Sequence, residues 1–156
     1  MLEAHTRAWP APSPSPWSQP FWDAAKAGRL LIQHCKACGR HVFYPRLYCP
    51  HCLAPDLGWI EASGRGAIYS FTSVCNNAPS AFAAETPYVV AVIRLEEGVR
   101  LLSNVVGCEP DELRCEAAVE VVVLGVADGA RREAVEPVGD RGGAALEVVA
   151  AGERHL

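Results

Sequence analysis

Two cysteine pairs, Cys35-Lys-Ala-Cys38 and Cys49-Pro-His-Cys52, give the first third of this chain its chemistry. A C-x-x-C knuckle bends the backbone so that two thiolates converge on one point. Two such knuckles on neighbouring hairpins supply four sulfurs to a closed tetrahedral site. Gly39 follows the first pair, where a tight turn favours a residue tolerant of positive φ, and Leu53 holds the equivalent place after the second. Four thiolates leave no open coordination position, so such a metal holds structure and activates no water.

Zinc is the expected ion, and a rubredoxin-type iron site, with the same four-sulfur geometry, is the alternative. A disulfide framework would need an oxidising compartment and fits poorly with seven cysteines, an odd number. A thioredoxin-like redox motif uses one C-x-x-C rather than two. His41 and His51 sit close enough in sequence to replace a sulfur, but with four cysteines in place they are expected to be exposed loop residues.

The 156 residues suit one compact unit or a domain with a small satellite, and half of them are hydrophobic. Charge is uneven. Residues 21–60 carry five Lys/Arg against two Asp/Glu, a net +3, whereas residues 61–156 carry eight against fifteen, a net −7. A nucleic-acid binder usually shows a dense basic stripe, and none is present. No basic segment followed by an apolar stretch opens the chain, no run is long enough to span a bilayer, and Cys75, Cys108 and Cys115 add free thiols. A reducing cytoplasm is the expected location, with no membrane partner.

Residues 1–17, with Pro10, Pro12, Pro14 and Pro16 alternating, read as a disordered or extended tail. Residues 18–60 read as a short helix plus the metal ribbon. Ser18 is the predicted N-cap, Pro20 lies in the first turn and Gly28 ends the helix. Phe21, Trp22, Ala25 and Leu30 would form its apolar face. From Gly64 the pattern changes to period two with β-branched residues, predicting strands over 67–74, 87–95, 99–106, 119–124 and 133–138. In the first, Ile68, Ser70, Thr72 and Val74 should share a face opposite Tyr69 and Phe71. Glu96-Glu97-Gly98 is a turn whose carboxylates read as a solvated pair, and Pro110 to Leu113 a helical turn. The fold class is mainly β. Five strands with a helical turn between the third and fourth suit a Greek-key barrel of the OB type over 61–138, with a small sandwich as the alternative. Residues 139–156 read as a flexible tail.

From Phe21 to about Asp128 the sequence resembles a family of acyl-CoA-associated proteins that join a rubredoxin-like zinc ribbon to an OB fold. The matching residues are Phe21-Trp22, Gly28-Arg-Leu, both knuckles, Trp59-Ile-Glu-Ala-Ser-Gly-Arg-Gly, Tyr69-Ser-Phe-Thr, Phe82-Ala-Ala-Glu-Thr-Pro-Tyr-Val-Val-Ala and Leu101-Leu-Ser-Asn-Val-Val-Gly. The resemblance implies a non-catalytic subunit that pairs with a thiolase-like enzyme, an acyltransferase or a lipid-transfer-type aldolase, in some cases with a hot-dog-fold hydratase. It also implies that the subunit braces the partner's acyl-CoA site. Arg131-Arg-Glu-Ala-Val-Glu-Pro departs from the apolar-Pro-Phe ending common in the family and puts the last strand in question.

The residues themselves point the same way. No histidine lies between His51 and His155, so Cys75, Cys108 and Cys115 have no base nearby in sequence and read as small buried hydrophobes. No Ser-His-Asp set or phosphate-cradling Gly-rich loop stands out. Phe21, Trp22, Arg40, Arg46, Phe82 and Tyr88 are the expected contacts with a partner or with coenzyme A, the arginines by attraction to phosphate. A free-standing acyl-CoA binder and a nucleic-acid-binding ribbon and barrel are the competing readings.

Overall fold

The computed structural model describes residues 13–80, 82–125, 131–137 and 146–147, with side chains through Val122. Helix α1 (Gln19–Lys26) opens the ordered chain, entered by a turn in which the Ser15 carbonyl accepts from the Ser18 and Gln19 amides. Ser18 stands at the N-cap as predicted, but its hydroxyl bonds Ser15 instead of the helix amides. Gly28, at φ +76, turns the chain out of the helix. The helix buries Phe21, Ala24 and Ala25.

Strands β1 (Leu31–Cys35), β2 (His41–Val42) and β3 (Leu57–Glu61) form a three-stranded antiparallel sheet in the order β2-β1-β3. The barrel follows: β4 (Arg65–Val74), β5 (Tyr88–Leu95), β6 (Arg100–Val105), β7 (Ala118–Gly125), β8 (Arg131–Pro137) and the two-residue β9 (Leu146–Glu147). β4 pairs with β5, β5 with β6, β6 in parallel with β8, β8 with β7, and β7 returns to β4. Closure removes every free edge in this circuit. The order, with its parallel third-to-fifth contact, is that of an OB barrel, and a 3₁₀ turn at Pro110–Glu112 lies between the third and fourth strands. The polar Arg131–Pro137 segment therefore does form the closing strand. β9 lies inside the segment expected to be a flexible tail; the rest of that tail and residues 1–12 lie outside the described residues.

Alternation in β5 is uninterrupted: Val89, Ala91, Ile93 and Leu95 point inward and are buried. β4 breaks the pattern. A bulge between Ile68 and Ser70 inserts Tyr69 as an extra residue, so Phe71 rather than Ser70 returns to the core beside Ile68. This corrects the predicted faces: one unpaired residue reverses the parity of all that follow. Gly66 is required where β4 meets β5, since a Cβ there would lie 2.6 Å from the Arg94 carbonyl oxygen.

The core centres on Ile32, Ile68, Ile93, Leu101 and Val119 and takes in Phe21 and Leu30. The helix and β1 thus pack into the barrel's own core. The hairpin tip after β5 ties the halves further. The Glu97 carboxylate accepts the Ser63 amide at 2.6 Å, and its carbonyl accepts His41 Nδ1–H at 2.9 Å. Glu96 takes Arg65 in a 2.9 Å ion pair. Glu96 stays exposed, as expected of a solvated turn residue, whereas Glu97 is an anchor, because the turn directs it back onto the ribbon–barrel junction. The Tyr44 hydroxyl oxygen adds another bond, accepting the Leu102 amide at 3.1 Å.

Candidate metal centre

The two knuckles repeat one backbone device. The Gly39 amide donates to the Cys35 carbonyl at 2.8 Å, and the Leu53 amide to the Cys49 carbonyl at 2.9 Å. The Cys35 amide bonds the Arg40 carbonyl, and the Cys49 amide bonds the Ala54 carbonyl, both at 2.9 Å. Each loop is closed twice by its own backbone, which leaves the cysteine side chains nowhere to turn but inward. In each pair the first cysteine is buried and the second exposed. Gly39 adopts φ +71 and Leu53 φ +62, so the second knuckle holds a branched side chain in the left-handed region. That conformation costs an L-residue on the order of 1–2 kcal/mol.

All four Sγ atoms lie within 4.8 Å of one another, with Cys35–Cys52 and Cys38–Cys49 at 3.6 Å. A tetrahedron of sulfurs about 2.3 Å from zinc has edges of roughly 3.8 Å, so the donor set fits this ion. His51 lends its amide, not its ring: the N–H points at Cys49 Sγ from 3.4 Å. Desolvation works against ionising the Cys49 thiol, but the His51 and Cys52 amides outweigh it and hold the thiol down to about 7. Cys52 moves the other way. The Ala54 amide favours its thiolate, yet burial and the neighbouring thiols push it up to about 12. Four sulfurs this close do not all ionise unless a cation neutralises them, and the ion's task is to hold the loops.

One histidine meets the expectation of an exposed loop residue and the other does not. His51 is exposed, and its Nδ1 accepts Arg40 at 3.2 Å. His41 lies in β2, half-buried and bonded to Glu97, because β2 pairs with β1 and brings position 41 to the junction. Neither ring joins the sulfurs.

The other predicted contact residues do not converge on one site. Phe21 is 3% exposed and stacks edge-on with Trp22, centroids 5.2 Å apart, so its ring serves the core and offers nothing to a partner. Trp22 is half-buried beside it, whereas Arg40 and Arg46 are exposed on the ribbon. Phe82 and Tyr88, with centroids 6.4 Å apart, line an apolar groove of about 350 Å³ completed by Pro79, Val90, Leu102, Ser103 and Asn104. Sequence reasoning missed Gln33. Its side chain is buried in β1, donates to the Arg46 carbonyl at 2.9 Å and accepts the Arg46 amide at 2.7 Å. A lone glutamine inside an apolar strand was the available signal. Of the remaining thiols, Cys75 and Cys115 are exposed rather than buried, because the segments that carry them leave the barrel interior. Cys108 is partly buried, and desolvation with Glu112 and Glu109 nearby raises its thiol, which opposes thiolate chemistry.

Comparison with known proteins agrees with this architecture. Residues 22–58 match the family described as the ChsH2 rubredoxin-like zinc ribbon domain, and residues 59–124 match the ChsH2 C-terminal OB-fold domain. A probable enoyl-CoA hydratase alpha subunit of Thermomonospora curvata is 45% identical over 94 residues, which are 60% of this chain but only 29% of that protein. A DUF35 domain-containing scaffold protein of Methanothermobacter thermautotrophicus is 40% identical over 94 residues, 60% of this chain and 70% of that one. The solved structure named Ltp2-ChsH2(DUF35) aldolase superposes with a TM-score of 0.74 at 35% identity, covering 81% of this chain and 98% of the other. Zinc ribbon, barrel and order of motifs coincide, and the chain belongs to the DUF35 family, whose members join a ChsH2-type zinc ribbon to an OB-fold domain.

Proposed function

We propose that this chain is a non-catalytic accessory subunit of a thiolase-type complex acting on acyl-CoA substrates. In this reading it braces the catalytic subunit and completes the surroundings of its coenzyme A site. The observation that carries it is the nature of the one metal-binding cluster among the described residues. The closed four-cysteine cluster is already committed to holding loops. Among the described residues no thiol outside it has a hydrogen-bonded histidine, and a thiolase-like reaction needs an activated thiolate with a base in reach. Relatives named as a hydratase alpha subunit, a scaffold protein and an Ltp2-ChsH2(DUF35) aldolase support a role beside an enzyme. Arg40 is the exposed cation for a coenzyme A phosphate, and Trp22 with the Phe82–Tyr88 groove is the apolar surface offered to the partner.

Affinity capture of the full chain from its native cells should retain a thiolase-like or hydratase subunit in near-equal amount, with acyl-CoA turnover only in the complex. Steady thiolysis by the isolated chain would sink the proposal. So would salt-sensitive binding of single-stranded oligonucleotides with no enzyme retained.

A further inference from the structure

Six large hydrophobic side chains stand exposed among the described residues, and three of them, Leu47, Tyr48 and Leu53, flank the second knuckle. Leu53 is 76% exposed at a backbone position that favours glycine, and the first knuckle does use glycine there. A branched apolar side chain is thus held in water, on a strained residue, where the fold itself does not ask for one. Leu47 and Tyr48 are presented as firmly, since buried Gln33 clamps the Arg46 backbone just before them from both sides. Residues 41–55 contain no Asp or Glu, while Arg46 is exposed and has no ion pair among the described residues. The first knuckle is different in kind: Lys36 pairs with Asp56 at 3.5 Å, and Gly39 leaves its tip bare.

We propose that the second knuckle is an anchor inserted into the catalytic subunit. Leu47, Tyr48 and Leu53 enter an apolar recess on that subunit, and Arg46 meets carboxylates at its rim. Charge agrees with this occupant: outside the metal cluster, residues 41–55 carry exposed Arg46 and no acid, so carboxylates on the opposite wall would complement them. A tyrosine and an arginine beside a rigid apolar tip are the residue types that concentrate binding energy at an interface centre. A second copy of this chain is a poorer fit, because a tip lodged in another face of the next copy makes a head-to-tail contact that leaves a further tip and face free. This inference rests on the accessory-subunit reading and says where that subunit is gripped.

The test uses the full chain and the catalytic subunit that co-purifies with it. L53G and Y48S are compared with the wild-type chain for zinc content, melting temperature and affinity for that subunit. Zinc should stay at one per chain in both variants, and L53G should melt at or above the wild-type temperature, since strain is relieved. Affinity should nevertheless fall by about tenfold or more. Unchanged affinity in both variants overturns the proposal. Self-association of the isolated chain that disappears in L53G also overturns it, by making the occupant a second copy. Failure of the wild-type chain to retain any acyl-CoA enzyme is a separate result, which removes the underlying reading and this inference together.

Discussion

The ribbon and the barrel are built on opposite principles, although one strand runs through both. The barrel buries a continuous apolar cluster from Phe21 to Val119. The ribbon's own cluster is Cys35, Val42 and Cys49, with Ala54 and Leu57 against it, and two of its three buried members are metal ligands. So small a core does not offset the entropy of ordering two knuckles, whereas the barrel's does. β1 makes the contrast local: Ile32 faces the barrel core, and Cys35, three residues on, belongs to the metal. Order in the ribbon is borrowed, from an ion at one end and from the barrel at the other.

Removing the ion should therefore have the largest effect and a sharply bounded one. Cys35→Ser, or a strong chelator, should strip zinc and disorder residues 35–57, because apparent zinc binding in such sites is worth about 10–16 kcal/mol. Amide exchange should rise there while β5 and β6 stay protected. Collapse of the whole chain in one step would show that the two halves are a single unit. Acid acts at the same place. Cys49 is held down to about 7 before metal binds, and protons compete with the ion for every sulfur, so zinc is released as pH falls and regained as it rises.

The converse experiment empties the barrel. Ile93 is fully buried at the centre of β5, and Ile93→Ala should cost about 2–5 kcal/mol in denaturant unfolding. Zinc content before the transition should be unchanged. A variant that loses zinc at once would mean that the ribbon depends on the barrel for its fold and not only for its position.

The smallest effect belongs to the surface. Arg94 and Glu116 form a 2.6 Å pair that is largely open to solvent. Glu116→Gln should shift stability by no more than about 1 kcal/mol, and raised salt should erase the difference. A larger, salt-resistant loss would assign the pair a place in the architecture that its exposure does not suggest.

Much of this division was legible beforehand. The metal set is legible because spacing alone brings C-x-x-C sulfurs together, and β5 because its period-two pattern faces a single interior. β4 was misread after Ile68, since a bulge changes parity without a required residue type to announce it. Glu97 was misread because a turn glutamate looks the same whether it faces water, as Glu96 does, or the neighbouring sheet. Leu53 was visible as a departure from Gly39, but its φ of +62 and its exposure belong to three dimensions. Phe21 was misplaced for the same reason: pattern detects that it is apolar, not which side of the helix the core takes.

The hairpin tip at Glu96–Gly98 bears on how this protein is handled and how it diverges. A cut between residues 58 and 59 looks safe on paper, at the junction between two family domains. Such a cut would strand the His41 ring and the Tyr44 hydroxyl, whose partners, the Glu97 carbonyl and the Leu102 amide, lie on the far side. The same bonds set the length of a surface turn that would otherwise be free to grow. One inserted residue would turn Glu97 away from Ser63 and swing the knuckles relative to the barrel. In this fold a hairpin loop, normally the most permissive place for insertions, serves as the gauge that sets the angle between two modules.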